Sequence, residues 1–253
     1  HAVRASLLPT LGFYPQAGFH MLRTARKAAR GTLVHADLVA GSQALRRALE
    51  RVGVRFAISG TETLAQLPGP AVFVANHMSA LETQILPAIL EPVAPCTFVV
   101  KRDLLGIPVF GPVLAGFDPI AVSRTDPKRD LQTVLIEGRR RLEAGVSVIV
   151  FPQGSRSPEF DPRRFNSLGM RLARHAAVPL VPIALFTAAW EIGRRVKDIG
   201  RIVPSRGVRF AIGAPILVEG DGPAAHRASV AFIDGTLRAW HAEGLVEAEA
   251  LPA

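Results

Sequence analysis

Hydrophobic and polar positions follow two different periods along the chain. In residues 1–55 the apolar positions recur at roughly helical spacing, which predicts an amphipathic helical segment. From residue 56 onward, short β-branched runs alternate with helical patterns. The predicted strands are Ala71–Ala75, Cys96–Val100, Pro119–Val122, Val146–Phe151, Pro179–Leu185 and Val208–Ile212. The predicted helices of this part are Ala80–Leu90, Pro127–Ala144, Ser167–Ala176 and Pro223–Glu243.

This alternation is typical of an α/β fold with a mixed, largely parallel sheet covered by helices. We expect that domain over residues 56–253, after the helical segment of residues 1–55. Pro179 and Pro182 weaken the prediction of the strand Pro179–Leu185, because a proline in a strand suits an edge or an end. Residues 104–123 are interrupted by glycine and proline, so they are predicted as loops and short elements rather than a membrane crossing.

The charge changes the picture of the helical segment. The chain has a net charge of +9, and its first 55 residues carry nine basic side chains against two acidic ones. A basic amphipathic helix can lie on an anionic bilayer, but the same pattern also fits a solvated helix pair packed on the main domain. Both readings stay open. No nucleic-acid partner is expected, because no known binding motif occurs and aromatic residues make up only 6%.

Candidate chemistry begins at the stretch from Asn76 to Glu82, where a predicted strand gives way to a helix. Two side chains five residues apart on one helix point about 140° apart, so His77 and Glu82 pair only if His77 precedes the helix. The carboxylate can then fix the tautomer of the imidazole and leave its other nitrogen as a general base. A purely structural histidine is the alternative.

A second candidate is the stretch Phe151–Ser157, which follows an apolar run and reads FPQGSRS. Gly154 and Ser155 allow backbone N–H groups to approach a ligand, and the Arg156 guanidinium suits a phosphate or a carboxylate. The spacing matches neither a P-loop nor a nucleophile elbow. A plain turn closed by a surface arginine is the alternative.

Other side chains suggest no further chemistry. Cys96, the one cysteine, lies in an apolar run and is expected in the core, and a chain without an internal disulfide suits a reducing compartment. No metal is expected, since the remaining histidines show no ligand spacing. These histidines are His20, His35, His175, His226 and His241.

Taken together, the motifs resemble the glycerolipid acyltransferase family, and the resemblance covers roughly residues 70–185. Several blocks in the family's order are far more specific than any one of them. They are Asn76–Glu82, Lys101–Leu104 with Pro108 and Gly111, Gly116–Arg124, Phe151–Ser157 and Val178–Ile183. The resemblance implies transfer of a fatty acyl group from acyl-CoA or acyl carrier protein to a lysophospholipid hydroxyl, foremost that of 1-acyl-glycerol-3-phosphate. A different lysolipid acceptor, a thioesterase and a non-catalytic lipid-binding homologue are the alternatives.

The resemblance also implies residue roles. His77 resembles the catalytic base and Glu82 its supporting carboxylate, in a direct transfer that needs no cofactor beyond the acyl donor. Arg156, with Lys101 and Arg124, would hold the acceptor phosphate. Substrate-binding positions also include Gly154 and Ser155, and supporting positions are Asn76, Ser79, Gln153 and Pro182. The helical segment would dock on an anionic membrane, which places the protein on the cytoplasmic face as a peripheral or monotopic protein.

Three departures from the family pattern stand out. Glutamate replaces the usual aspartate at position 82, and Gln153 replaces the usual glutamate. The family's F-K-K-G block appears as Phe165–Gly169 without a lysine. An acceptor contact is therefore expected to be absent, and the acceptor need not be 1-acyl-glycerol-3-phosphate.

Overall fold

The computed structural model describes residues 7–90 and 95–244. Seven strands form one sheet in the order β1-β7-β6-β2-β5-β3-β4. The strands are β1 (Phe56–Ser59), β2 (Val72–Ala75), β3 (Cys96–Lys101), β4 (Ile120–Val122), β5 (Ser147–Val150), β6 (Leu180–Phe186) and β7 (Val208–Ile212). All neighbouring strands run parallel except β6 and β7, which are antiparallel. The predicted α/β fold with a mixed, largely parallel sheet is confirmed.

Seven α-helices accompany these strands within the described residues. They are α1 (Leu8–Ala29), α2 (His35–Arg51), α3 (Leu81–Leu90), α4 (Phe110–Ala115), α5 (Pro127–Glu143), α6 (Leu168–Ala176) and α7 (Pro223–Ala242). Every predicted strand and helix from residue 56 onward is present, with ends that differ by at most one residue. β1 and α4 were not predicted, because they are short elements without a full period of the pattern.

The strand with the two prolines in its predicted range is present as β6, and it is not an edge strand. β6 lies inside the sheet, between β7 and β2. Pro182 is tolerated there because it stands opposite Gly213, just beyond the end of β7. Its carbonyl oxygen accepts the Gly213 N–H at 2.8 Å, and the missing proline N–H costs one bond where that ladder is already ending.

Both faces of the sheet are covered, which explains why all residues of β2 are buried. Along β2, Phe73 belongs to the core cluster that includes residues of α1, α2 and α3, while Val72 and Val74 belong to the cluster that includes residues of α5, α6 and α7. This alternation is the side-chain period of a strand. Cys96 lies in the first of these two clusters and is buried, as expected.

The two N-terminal helices pack onto the main domain through one side only. Phe13 and Leu49 are fully buried in the same cluster as the sheet residues. The other side of α1 exposes large apolar side chains, among them Leu8, Leu11 and Phe19. Arg4, part of the basic count, lies outside the described residues. No helix within residues 7–90 and 95–244 has the length and hydrophobicity that crossing a bilayer requires.

Candidate active site

The candidate site lies where three adjacent parallel strands end. β2, β5 and β6 are neighbours, and their carboxyl ends meet at one edge of the sheet. The residues that follow them are Asn76 and His77, Phe151, and Thr187. In open α/β sheets this edge is the usual location of ligand sites.

His77 and Glu82 are in direct contact. The Nδ1 atom of His77 lies 2.8 Å from Oε1 of Glu82, because His77 stands in the turn ahead of α3 and Glu82 in its first turn. A carboxylate can only accept a hydrogen bond, so Nδ1 carries the proton and Nε2 is the basic nitrogen. Nε2 has no hydrogen-bond partner in the described part of the chain. The imidazole therefore has the tautomer of a general base.

The carboxylate of Glu82 is fully buried and is surrounded by donors. Oε1 accepts the backbone N–H groups of Met78 at 2.6 Å and Ser79 at 2.9 Å, besides the imidazole. Oε2 accepts the hydroxyls of Thr187 at 2.8 Å and Ser79 at 3.1 Å. Several charge-assisted hydrogen bonds of this kind hold a buried carboxylate in one place.

These donors also keep Glu82 ionised. Burial alone would raise the pKa of its carboxyl group, but the hydrogen bond and charge of His77, together with the Thr187 hydroxyl, hold that pKa below its ordinary value. The carboxylate is thus negative throughout the neutral range. A negative charge beside Nδ1 would stabilise an imidazolium ring at this position.

The residue type at position 82 follows from the local structure. Ser79 and Glu82 have the spacing of a capping box: the Ser79 hydroxyl accepts the Leu81 N–H at 3.1 Å, and the Glu82 carboxylate accepts the Ser79 N–H. Glutamate three residues after the capping serine is the residue typical of this box. One side chain therefore closes the first turn of α3 and holds His77.

The backbone and ring of His77 are fixed by the turn after β5. The His77 N–H donates to the side-chain oxygen of Gln153 at 2.9 Å, and its carbonyl accepts the Ser157 N–H at 2.9 Å. Its ring stacks on Phe151 with centroids 4.3 Å apart. A neutral amide oxygen is sufficient for the Gln153 contact, so the departure from glutamate leaves this bond intact.

Asn76 joins the end of β2 to β6. Its amide group donates to the Leu185 carbonyl at 2.8 Å and accepts the Leu185 N–H at 2.9 Å. It is buried, so both ends of the amide are satisfied within the chain. Asn76 thereby fixes the backbone immediately before His77. Pro182, by contrast, is a buried residue of β6 and belongs to the sheet.

The three cations predicted to bind the acceptor phosphate lie near the carboxyl ends of the strands, and each has a different partner in the protein. Arg156 forms an ion pair with Asp198 at 2.5 Å and is mostly buried. Arg124 is exposed and donates to the Gly154 carbonyl at 2.5 Å, so it braces the turn. Lys101, at the end of β3, pairs with Asp103 at 2.5 Å. Of the three, Arg156 is the cation set deepest in the protein.

A cavity of about 420 Å³ opens beside the turn between α5 and α6. Phe151 and Gly154 line it, together with apolar side chains from β3, β4 and β5. Arg124 and Arg171 also line it. No cluster of metal-ligating side chains occurs among the described residues.

Three side chains contribute to the site in ways that were not predicted from the sequence. Thr187 donates a hydrogen bond to the Glu82 carboxylate, and Phe151 stacks on the His77 ring. Asp198 forms an ion pair with Arg156. Thr187 directly follows β6 and Phe151 directly follows β5. Both strands were predicted, so the position of each residue at a strand end could be read from the sequence. Asp198 lies more than 40 residues from Arg156 in a loop without a motif, and only the folded chain brings the two together.

A family model described as Acyltransferase matches residues 55–186, more than half of the chain. The chain therefore belongs to this acyltransferase family. Within it, the 1-acyl-sn-glycerol-3-phosphate acyltransferase of Pseudomonas aeruginosa is 33% identical over 196 residues, covering 77% of this chain and 70% of that protein. The Escherichia coli enzyme of the same name is 26% identical over 130 residues, covering 51% of this chain and 52% of that enzyme.

A solved structure shares the fold. The 1-acyl-sn-glycerophosphate acyltransferase of Thermotoga maritima superposes with a TM-score of 0.69 at 21% identity, over 97% of this chain and 98% of that one. The protein is an acyltransferase of the 1-acyl-sn-glycerol-3-phosphate acyltransferase family, in agreement with the resemblance in its motifs.

Proposed function

We propose that the protein transfers a fatty acyl group from an acyl thioester to the free hydroxyl of a 1-acyl-glycerol-3-phosphate, with His77 as general base. One observation carries this proposal: the fully buried, ionised Glu82 holds Nδ1 of His77 at 2.8 Å. Its other nitrogen, Nε2, has no hydrogen-bond partner within the described residues. That combination supports proton abstraction from an alcohol.

The reaction follows from this geometry. Nε2 takes the proton of the acceptor hydroxyl as its oxygen attacks the thioester carbonyl. The tetrahedral intermediate then collapses, the carbon–sulfur bond breaks, and the thiolate takes the proton from the imidazolium. Glu82 stays ionised throughout and stabilises the charged ring between the two transfers. The donor is acyl-CoA or acyl carrier protein, each of which presents the same thioester.

Arg156 is the proposed binding group for the acceptor phosphate. Its guanidinium pairs with the Asp198 carboxylate, and a phosphate is a second oxyanion that suits the same planar donor group. The nearby cavity combines apolar walls with Arg124 and Arg171, a mixture that suits a lipid with an anionic headgroup. The acceptor would come from an anionic membrane on which α1 docks.

A different lysolipid acceptor is the second candidate, and Asn166 favours it. This residue stands in the block where related proteins carry lysine. Its amide donates to the Pro152 carbonyl and accepts the Leu168 N–H, so it serves the local backbone and offers no cation to a phosphate. An acceptor panel should therefore include lysophospholipids with larger headgroups.

The test follows acyl transfer by the purified protein from radiolabelled acyl-CoA or acyl carrier protein to a panel of lysolipids, with free fatty acid measured in parallel. His77→Ala should fold normally and lose at least about 10²-fold in turnover. His175→Ala, an exposed histidine at the end of α6, is the matched control and should keep full activity. Near wild-type turnover in His77→Ala overturns the mechanism, and release of fatty acid alone indicates a thioesterase.

The same assay tests the phosphate site. Arg156→Ala should raise the acceptor KM while changing the donor KM little, because the lost contact is to the acceptor phosphate. Arg163→Ala, at an exposed arginine outside the candidate site, should leave both values unchanged. An unchanged acceptor KM in Arg156→Ala places the phosphate elsewhere.

A further inference from the structure

A compact loop of residues 191–201 lies in the connection from β6 to β7. An antiparallel bridge between Trp190 and Ile202 closes its base, and the Glu191 N–H donates to the Arg201 carbonyl at 2.9 Å. The loop folds tightly on itself, since a Cβ at Gly200 would lie 1.7 Å from the Glu191 carbonyl oxygen. The loop therefore has a compact backbone fold of its own and is not an extended connection.

The outer surface of this loop mixes exposed aliphatic side chains with cations. Ile192, Val196 and Ile199 are exposed, at 39%, 51% and 58% of their surface. Exposed cations alternate with them, namely Arg194, Arg195 and Lys197. A cluster of branched aliphatic side chains in water is unfavourable unless another apolar phase covers it. Aliphatic side chains between cations suit the boundary between headgroups and acyl chains of an anionic bilayer.

The loop lies directly beside α1. The Tyr14 hydroxyl donates to the Gly200 carbonyl at 2.7 Å, and the Ile202 N–H donates to the Thr10 hydroxyl at 3.0 Å. At about 100° per residue, these two α1 positions span roughly 40° of the helix surface.

The exposed apolar stripe of α1 begins next to that contact. Counted from Thr10, Leu11 lies at about 100°, Leu22 at about 120° and Phe19 at about 180° on the helix surface. All of them are exposed, from 46% to 67%. The loop therefore contacts α1 beside the edge of its apolar stripe, so the two exposed surfaces are adjacent.

The loop also reaches the proposed phosphate site. Asp198 belongs to it and forms the ion pair with Arg156. A bilayer that covers the loop would therefore lie against the residue proposed to receive the acceptor phosphate. An acceptor that enters from the headgroup layer would find its binding group at the membrane surface.

We propose that the 191–201 loop is a second membrane-docking element, which lies on an anionic bilayer beside α1 and sets the Arg156 site at the level of the headgroups. This proposal rests on the proposed function, because the acceptor is taken from the membrane. The alternative partner for a basic, partly apolar loop is an acidic donor protein such as acyl carrier protein. The position of the loop beside the apolar stripe of α1 favours the bilayer.

The test measures partition of the full chain to phosphatidylcholine vesicles with and without phosphatidylglycerol. Each cation near an anionic surface changes partition about five-fold, so Arg194→Gln/Arg195→Gln should weaken binding to anionic vesicles by on the order of ten-fold or more. Arg139→Gln/Arg140→Gln is the matched control, since it removes two exposed cations from α5 on the opposite face of the sheet. It should change partition by less than about two-fold.

The apolar part of the surface is tested in the same way. Ile199→Ser should weaken binding to both kinds of vesicle, whereas Ile136→Ser, at an equally exposed isoleucine of α5, should not. With a short-chain, water-soluble acceptor, all these variants should keep wild-type turnover. With vesicle-embedded acceptor, the loop variants alone should lose activity in proportion to their lost partition.

The outcomes separate this inference from the proposed function. If wild type binds vesicles and the loop variants bind equally well, the loop is not a docking element, while acyl transfer and the role of α1 stand. If the loop variants bind vesicles normally but lose turnover only with acyl carrier protein, the loop docks the donor and the membrane proposal is wrong. If wild type transfers acyl groups to the soluble acceptor but binds no vesicles, membrane docking as a whole is wrong.

Discussion

Replacing Glu82 with glutamine isolates the charge of the carboxylate from its geometry. The amide oxygen can take the place of Oε1 and accept from His77, Met78 and Ser79. The amide NH₂ group can take the place of Oε2 and donate to the hydroxyls of Thr187 and Ser79, which rotate to accept. Apart from the Ser79 N–H contact to Oε2 at 3.1 Å, which an NH₂ group cannot accept, the hydrogen-bond network is kept while the negative charge is removed.

The size of the effect follows from the distance between the ring and the carboxylate. With Nδ1 and Oε1 2.8 Å apart, the centres of charge of an imidazolium and the carboxylate lie about 4 Å apart. At that separation and an effective dielectric constant of about 20, their attraction is about 4 kcal/mol. Loss of this electrostatic attraction would lower the rate about 10³-fold if the proton were fully transferred in the transition state. Because transfer is partial, we expect a fall in kcat of about 10²- to 10³-fold.

The assay is continuous release of CoA thiol from acyl-CoA with a saturating lysolipid acceptor. KM values should change little, since Glu82 is buried and contacts no substrate in the proposed mechanism. Glu82→Asp keeps the charge but shortens the side chain, so it should retain more activity than the glutamine variant. Melting temperatures of the variants report whether the fold is intact.

One result would refute this reasoning. If Glu82→Gln is stable and keeps kcat within about three-fold of wild type, the charge does not assist the imidazole. His77 would then require another explanation. A large loss of stability instead would mean that the amide does not fit the donors around it.

Two further predictions concern neighbouring contacts. Thr187→Val removes one hydroxyl from the buried carboxylate, and since the Ser79 hydroxyl at 3.1 Å can partly replace it, we expect the free energy of unfolding in denaturant to fall by about 1–2 kcal/mol and kcat by less than ten-fold. No change in either quantity would exclude the contact. Burial raises the pKa of Tyr14, the one tyrosine of the chain, to about 12, so ultraviolet titration of the folded protein should show tyrosinate only near that pH. This folded value exceeds the unfolded value of about 10, so the stabilisation is complete below pH 10 and disappears as the pH rises through about 12. Titration near pH 10 would mean that α1 is not docked at Gly200.

The alternation of strands and helices was predictable because each long element shows a full hydrophobic period. β2 and β5 read as short apolar runs, and α5 as a helix beginning at a proline. The position of β6 within the sheet was not predictable, because the hydrogen bond that a proline costs depends on which residue of the neighbouring strand lies opposite it. Gly213, just past the end of β7, removes most of that penalty, and only the register shows it.

The contact between His77 and Glu82 could be foreseen because the constraint is local: five residues span one turn and the start of one helix. The environment of Arg156 could not be foreseen, since Asp198 approaches it through a distant loop. The prediction of helices in residues 1–55 left open whether this segment packs on the main domain or docks on a membrane. In the structure, α1 buries Phe13 and exposes Phe19, so a single helix can do both.

The capping box at the start of α3 links helix stability to chemistry. Because the same carboxylate closes the helix and orients the imidazole, fraying of a single turn would release the ring and extinguish turnover while most of the sheet stays native. Inactivation by mild heat or denaturant should therefore precede global melting. That outcome would mean that the first turn of α3, rather than the core, sets the lifetime of the active enzyme.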